Sequence, residues 1–437
     1  MIGQILLTTL ILLLSPSGFD RRTAHQRKTS EIIDSYISVP HFPVEKNVTG
    51  KCGTEIYESM VFQIVHYGPN GDQIPTPQAP QGQAQISAAE AAFNRAMGLQ
   101  QKGQWPEAAD AWRKFLELEP SHAGAHANLG AVLSRLGQYD EAVKCYDNAL
   151  RLNPRLTDAL FNLGVAHYRA GQFAKAAEAL SRYLAARPDS WQSRQMLGLA
   201  LIELGRDEEA APLLEAALES NPKDASLLFG LGLAYLRLKR PEVKTMIERL
   251  ASTSAGEPFA HLLKGQNYLA DSDFQHAVES LESAAKLSDD LPRLHFSLGV
   301  AYLRAGRNQE AIRAFERELR RLPRDYWTLY YLAFLHDAEG QLDAASERAQ
   351  LALALQPRSA DAGALLGKVL LKQGKAAEAV PPLETAVAQN PNDANLRFQL
   401  ARAYQQSGRR QDAAREFAEA QRLKDRGIEK ERKGAKP

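Results

Sequence analysis

The chain has 437 residues, and its 53 lysines and arginines against 52 aspartates and glutamates give a formal net charge of +1 at pH 7. With so little excess charge, whole-molecule attraction to nucleic acid or to an anionic membrane is not expected. The hydrophobic share of 44% allows a large core, and the two cysteines, Cys52 and Cys145, exclude a disulfide scaffold or a cysteine-rich zinc module.

The first element is an apolar run at residues 5–14. It is about half as long as the ~20 residues of a membrane-spanning helix, and it fits the apolar part of a secretory signal, so residues 1–18 are a candidate signal peptide. The basic residues lie after the run, between 21 and 28, which is opposite to the arrangement typical of export. A misassigned start or a buried segment is the alternative. We expect an exported or envelope protein or else a cytoplasmic one, with membrane contact only if the run is an uncleaved anchor.

Residues 19–87 form an N-terminal segment of different character. Residues 55–67 are rich in β-branched and aromatic side chains and predict one strand or hairpin arm. Residues 68–85 are rich in Pro, Gly and Gln, which is typical of a linker.

From residue 88 onward, single residue types recur every 34 residues. The prolines of this series are Pro120, Pro154, Pro188 and Pro222, followed by Pro323, Pro357 and Pro391. Two glycine series share the interval, namely Gly103, Gly137, Gly171 and Gly205, and Gly130, Gly164, Gly198 and Gly232. Several series with one period predict an internal repeat. Ten units are expected, beginning near Ala89, Ala123, Thr157, Trp191, Ala225, Pro258, Pro292, Tyr326, Ala360 and Ala394.

One unit, residues 159–188, shows why the pattern arises. Apolar residues recur three and four apart on both sides of Gly171, which predicts two amphipathic helices with Gly171 as a left-handed cap between them. Pro188 ends the second helix. Gly164 lies inside the first helix, where glycine costs ~1 kcal/mol relative to alanine, so we expect close contact with the paired helix and Ala176 as its small partner.

This order of residues resembles the tetratricopeptide repeat (TPR) family. In the second unit the matching residues are Leu129, Gly130, Gly137, Ala142, Tyr146, Ala149 and Pro154. The resemblance covers residues 88–425 and implies an all-α, right-handed solenoid of about ten helix-turn-helix units whose first helices line a concave groove. Residues 426–437 are expected to be a charged tail.

The fifth unit, about residues 225–257, departs from the pattern. Lys239 replaces the capping glycine, Lys244 replaces the small alanine, and the interval from Gly232 to Gly265 is one residue short. We therefore expect a short second helix with irregular packing in this unit.

Motifs of catalysis are not found in the sequence. It has no H-E-x-x-H, G-x-S-x-G or Walker sequence. His122 and His126 are four residues apart, but no third ligand is near in sequence. We expect no metal, cofactor or small-molecule substrate, and a protein that is not an enzyme.

The groove residues expected from the repeat frame are aromatic or amide side chains. The aromatic ones are Phe161, Tyr168, Phe229, Phe296, Trp327, Tyr330 and Phe334, and the amides are Asn94, Asn128 and Asn162 at a spacing of 34 residues. Aromatic side chains in a concave surface are common anchors of protein recognition, and an asparagine amide can bond to an extended peptide backbone. The competing interpretation is that these side chains pack between neighbouring units.

The sequence thus predicts a non-catalytic scaffold that binds a peptide or protein in the groove. An accessory subunit of a cell-envelope assembly or secretion complex is the alternative. A regulatory part of an enzyme is a third, less favoured reading.

Overall fold

The computed structural model describes residues 87–434, with side chains up to Arg426, and this part of the chain contains twenty α-helices and no strand. The first helices of the units are α1 Ala88–Gln101, α3 Ala123–Arg135, α5 Thr157–Arg169, α7 Trp191–Glu203, α9 Ala225–Arg237, α11 Glu257–Ala270, α13 Leu294–Arg304, α15 Tyr326–Ala338, α17 Ala360–Lys372 and α19 Ala394–Gln406. The second helices are α2 Trp105–Leu118, α4 Tyr139–Leu152, α6 Phe173–Ala186, α8 Asp207–Ser220, α10 Val243–Ala251, α12 Phe274–Leu287, α14 Asn308–Arg321, α16 Leu342–Leu355, α18 Ala376–Gln389 and α20 Arg410–Gly434.

Each helix packs mainly against the helices that precede and follow it, and successive first helices also touch between most units. Ten helix pairs stacked in chain order form a solenoid, so the predicted all-α repeat architecture is confirmed. The candidate signal peptide, the expected strand at 55–67 and the linker lie outside the described residues. At the other end, α20 continues past Asp425 to Gly434, into the segment expected to be a charged tail.

The turn within each unit has a left-handed residue after the first helix. In the third unit this residue is Gly171, with a φ of 72°. Its N–H donates to the carbonyl of Tyr168 at 3.0 Å, and the N–H of Gln172 donates to the carbonyl of His167 at 2.8 Å. These bonds satisfy carbonyls at the helix end that would otherwise lack a partner.

Close contact between the two helices of a unit explains the internal glycines. A Cβ atom added to Gly164 would lie 2.5 Å from Cγ of Leu180 on the second helix, and one added to Gly130 would lie 2.9 Å from the Tyr146 ring. Ala176, the expected small partner, is fully buried. The repeated glycine therefore leaves space for a large side chain of the second helix.

The fifth unit is built differently from its neighbours. Its second helix, α10, has nine residues, whereas α8 and α12 have fourteen each. Lys239 occupies the left-handed cap position with a φ of 54°, a conformation that costs a side-chain-bearing residue roughly 1–2 kcal/mol.

The prediction that Lys244 takes the position of the small buried alanine in this unit was wrong. The 34-residue alignment puts Lys244 at the small buried position, but the structure leaves it exposed and buries Val243 and Met246. The Cβ of Met246 is the atom of α10 that approaches Gly232. Burial of an unpaired ammonium group would cost free energy. The shifted register of α10 keeps the Lys244 side chain in solvent and so avoids that cost.

We expect Gly164→Leu to cost ~1–3 kcal/mol of stability, because the added side chain would enter the space filled by Leu180. Gly171→Asn should cost much less, because asparagine tolerates the left-handed conformation. Urea denaturation of both variants measures the difference. Equal losses would contradict the packing role of Gly164.

We also expect α10 to exchange its amide hydrogens faster than α8 and α12. Stability in a solenoid is a sum of unit and neighbour terms, so a short helix after a strained turn forms a weak link. Hydrogen exchange with mass spectrometry measures this, with the two flanking helices as internal controls. Uniform protection from α8 to α12 would show that the fifth unit is not weaker.

Candidate functional site

One side of each first helix faces away from the second helix of its own unit. On α15 this side carries Trp327, Phe334 and Ala338, at spacings of seven and four residues, while the buried Ala333 occupies the register of the contact glycines. We call this side the inner stripe. Its residues on the next first helices, 34 and 68 positions further on, are Asp361, Lys368 and Lys372 on α17 and Asn395, Arg402 and Gln406 on α19.

Three of the predicted groove aromatics pack into the core. Phe161 contacts Tyr183 with ring centroids 5.3 Å apart, and Tyr168 contacts Phe173 at the same distance, in both cases on the second helix of the same unit. Phe296 is 2% exposed and packs against the Phe315 ring of α14 at 5.6 Å. The structure therefore gives these three side chains a packing role in place of an open groove surface.

Phe229, Trp327 and Phe334 lie nearer to the surface, whereas Tyr330 is buried. Phe229 is half-buried and contacts Phe259 of the next unit at 5.2 Å. Trp327 and Phe334 are half-buried on the inner stripe, and Tyr330 is 8% exposed between them. Burial raises the pKa of the Tyr330 hydroxyl, so this group stays protonated and neutral.

The three asparagines with 34-residue spacing differ in exposure. Asn94 is exposed, whereas Asn128 is 1% and Asn162 5% exposed. The amide of Asn128 donates to the sulfur of Met97 in the preceding unit at 3.9 Å. Two of the three amides thus lie inside the array, and an asparagine row open to a peptide is not present among these residues.

A charged cluster that the sequence analysis missed lies beside the eighth-unit aromatics. Asp337 of α15 has a side chain only 4% exposed, and it accepts from Nζ of Lys368 at 2.9 Å and Nζ of Lys372 at 2.5 Å. Burial opposes ionisation of Asp337, but the two lysine hydrogen bonds outweigh it and hold the pKa of this carboxyl below its ordinary value. The repeat frame alone did not reveal this cluster, because Asp337 and the two lysines belong to different units and meet only when those units stack.

Further along the inner face, Glu203 at the end of α7 is near two arginines. Burial raises the pKa of Glu203 to about 7, while the charges of Arg237 and Arg293 act in the opposite direction. Arg237 donates to the Ile202 carbonyl at 2.8 Å and pairs with Asp207 at 3.3 Å. Arg293 bridges two buried carboxylates of α14 and the loop that follows it, so both arginines have structural partners.

The two histidines considered as metal ligands have packing and capping roles. Nδ1 of His122 accepts from the N–H of Ala125 at 2.9 Å and so caps α3, and Nε2 of His126 lies 2.9 Å from the carbonyl of Pro120. Across residues 87–426, His, Cys, Asp and Glu side chains do not gather in groups of three that could hold a metal ion. In the same described part, none of the helices is both apolar and long enough to cross a bilayer.

Family comparison agrees with the geometry of the units. Models of the tetratricopeptide repeat match residues 132–190, 196–243, 262–326 and 329–394, and related models match 89–122, 111–144 and 370–426. The chain belongs to the tetratricopeptide repeat family. These matches leave out residues 244–261, the stretch that contains most of the short helix of the fifth unit of this TPR protein.

Similar proteins include one curated relative and several solved structures. Anaphase-promoting complex subunit 3 of Schizosaccharomyces pombe is 24% identical over 165 residues, which are 38% of this chain and 25% of that protein. The TPR chain thus spans about a quarter of the length of this relative. MamA from Desulfovibrio magneticus RS-1 is 23% identical over 38% of this chain and 94% of its own, with a TM-score of 0.36. Human IFIT1, in a structure with PPP-AAAA, is 17% identical over 78% and 91%, with a TM-score of 0.45.

We expect Glu203→Gln to make the TPR array relatively more stable at pH 8 than at pH 5. A carboxyl whose pKa is higher in the folded state binds its proton more tightly there, so its ionisation costs stability as the pH rises from the unfolded value of about 4.3 to the folded value of about 7. The difference in urea midpoint between variant and wild type should therefore grow across this range. Glu208→Gln, at an exposed carboxylate on α8, controls for the change in net charge. A midpoint difference that is equal at both pH values would contradict the raised pKa.

Proposed function

We propose that this TPR protein is a non-catalytic scaffold that binds a segment of another protein along the inner stripe, with its apolar anchor at the eighth unit. The observation that carries the proposal is the partial exposure of Trp327 and Phe334 on one side of α15. Among comparable aromatics on other first helices, Phe161 and Phe296 are buried by their own second helices, whereas Phe229 is half-buried and Phe398 is exposed.

The Trp327 side chain packs against several other aromatic rings of its unit. The Trp327 ring packs edge-to-face on Tyr326 at 5.0 Å and on Tyr330 at 6.1 Å. Tyr331 completes the cluster and stacks on Phe315 at 5.4 Å. An aromatic surface fixed in this way loses little conformational freedom on binding, which favours affinity.

The proposed partner is another protein or peptide, without a cofactor, metal or small-molecule substrate. Membership of the TPR family supports this class of partner. In support of a non-catalytic role, His122 and His126 each bond to the backbone of the turn that precedes α3 or to the first turn of α3 itself. A regulatory part of an enzyme is the less favoured reading, and nothing in the described residues adds to it.

An accessory subunit of a cell-envelope assembly or secretion complex is the second candidate function. It depends on residues 1–18, which lie outside the described part of the chain. Terminal sequencing of the mature protein decides this point, because loss of the first residues would favour export, whereas an intact N-terminus would favour the cytoplasmic alternative.

We expect Trp327→Ala and Phe334→Ala to weaken partner binding. Truncation of a central aromatic anchor commonly costs 2 kcal/mol or more, about a 30-fold loss of affinity. Peptides can be selected from a random twelve-residue library on the full chain, and their dissociation constants measured by fluorescence polarisation.

Leu351→Ala is the matched control, because Leu351 is 43% exposed on the second helix of the same unit, away from the inner stripe. Circular dichroism establishes that each variant folds. If the selected peptides bind both aromatic variants as tightly as they bind wild type, the binding site is elsewhere.

A further inference from the structure

The lysines of the ninth unit are arranged to accept a further carboxylate. Both Lys368 and Lys372 bond to Asp337, yet their side chains remain 46% and 43% exposed. They are four residues apart on α17, so their ammonium groups lie side by side at one edge of the Trp327 and Phe334 surface.

The ammonium groups of Lys368 and Lys372 have more hydrogen-bond donors than Asp337 uses. Each ammonium group has three N–H donors, and Asp337 takes one from each lysine. The other two donors of each ammonium group are available to a further acceptor, because both side chains are exposed. Because Asp337 is nearly buried and fixes the two side chains, part of the ordering cost of binding an anion is already met in the free protein.

The inner stripe around the two lysines also has a net positive charge. On the inner faces of α15, α17 and α19 the cations are Lys368, Lys372 and Arg402, and the carboxylates are Asp337 and Asp361. Three cations against two carboxylates leave one net positive charge, next to two half-buried aromatic rings. A partner of opposite sign with apolar side chains is complementary to this surface.

We propose that Lys368 and Lys372 bind an aspartate or glutamate side chain of the partner, so that the segment recognised by this array is acidic as well as apolar. The inference rests on the proposed function, since it names the chemistry of the partner at that site. Asp337 acts as a positioning residue, and the apolar side chains of the segment contact Trp327 and Phe334.

A single-stranded nucleic acid also combines with basic and aromatic side chains. The observations favour the protein segment, because a polyanion gains affinity by neutralising many phosphates and this stripe has a net charge of only one. The experiment must therefore also be able to detect binding of nucleic acid.

The test compares peptides selected from the random library on wild type with those selected on the Lys368→Gln/Lys372→Gln double variant. We expect enrichment of Asp and Glu beside apolar residues on wild type, and loss of the acidic enrichment on the double variant. A selected acidic peptide should bind Lys372→Gln about tenfold more weakly than wild type, because one charged hydrogen bond is lost. Its affinity should also fall as salt is raised.

Two single variants separate the charge from structural damage. Lys372→Arg keeps the cation and should keep most of the affinity. Lys375→Gln removes an exposed charge on the turn after α17, outside the inner stripe, and should bind like wild type. In each of the single lysine variants at the site, the other lysine still pairs with Asp337, so folding is maintained and can be checked by circular dichroism.

The outcomes distinguish the two proposals. Selected peptides that need Trp327 but lack acidic residues, or that ignore the lysine substitutions, would overturn the acidic partner and leave the scaffold function in place. Selected peptides that bind Trp327→Ala like wild type, or no selected peptides at all, would overturn the groove site itself. Tight binding of a twelve-nucleotide single strand that depends on Trp327 and both lysines, with no peptide selected, would assign the surface to nucleic acid.

Discussion

The close approach of the two helices within each unit is the contact on which the array depends. Gly164 meets Leu180, Gly198 meets Leu214 and Gly367 meets Leu383, in each case at a distance where a Cβ atom would collide with the leucine side chain. A glycine inside a helix costs about 1 kcal/mol relative to alanine, so the packing gained must offset that cost in the units that carry the glycine. The second helix can then bury a large side chain without moving away from the first.

This packing also determines which side chains of the first helices stay exposed. Some large side chains of the first helices lie on a side that contacts a neighbouring helix. These side chains are part of the core, as Phe161 and Phe296 are. Arginines at the ends of the first helices reach the preceding unit, where Arg135 lies over the Trp105 ring and Arg304 over the Phe274 ring. The exposed part of each first helix is therefore a narrow stripe, and on the eighth to tenth units this stripe carries aromatic and basic groups.

The fifth unit shows what happens when one unit lacks the required residues. Without a glycine at the cap, Lys239 takes the left-handed conformation, and Ser272 does the same in the sixth unit. Without a small buried residue, α10 shifts its register and shortens. The first helix of the seventh unit, α13, also departs from the pattern, since it follows a left-handed Arg293 and has eleven residues, and the regular pattern resumes after it.

The 34-residue period determined the fold class, the number of units and the turns, because each of these depends on local chemistry. Glycine supplies the left-handed cap, proline ends the second helix and apolar spacing defines the buried faces. The pattern could not predict whether Lys244 and the groove residues are buried or exposed. Whether a side chain on a first helix is core or surface depends on the rotation of the helix and on the size of its neighbours, which are set only when units stack. The same limit hid the pairing of Asp337 with Lys368 and Lys372, since these residues are distant in sequence and meet only across the interface of two units.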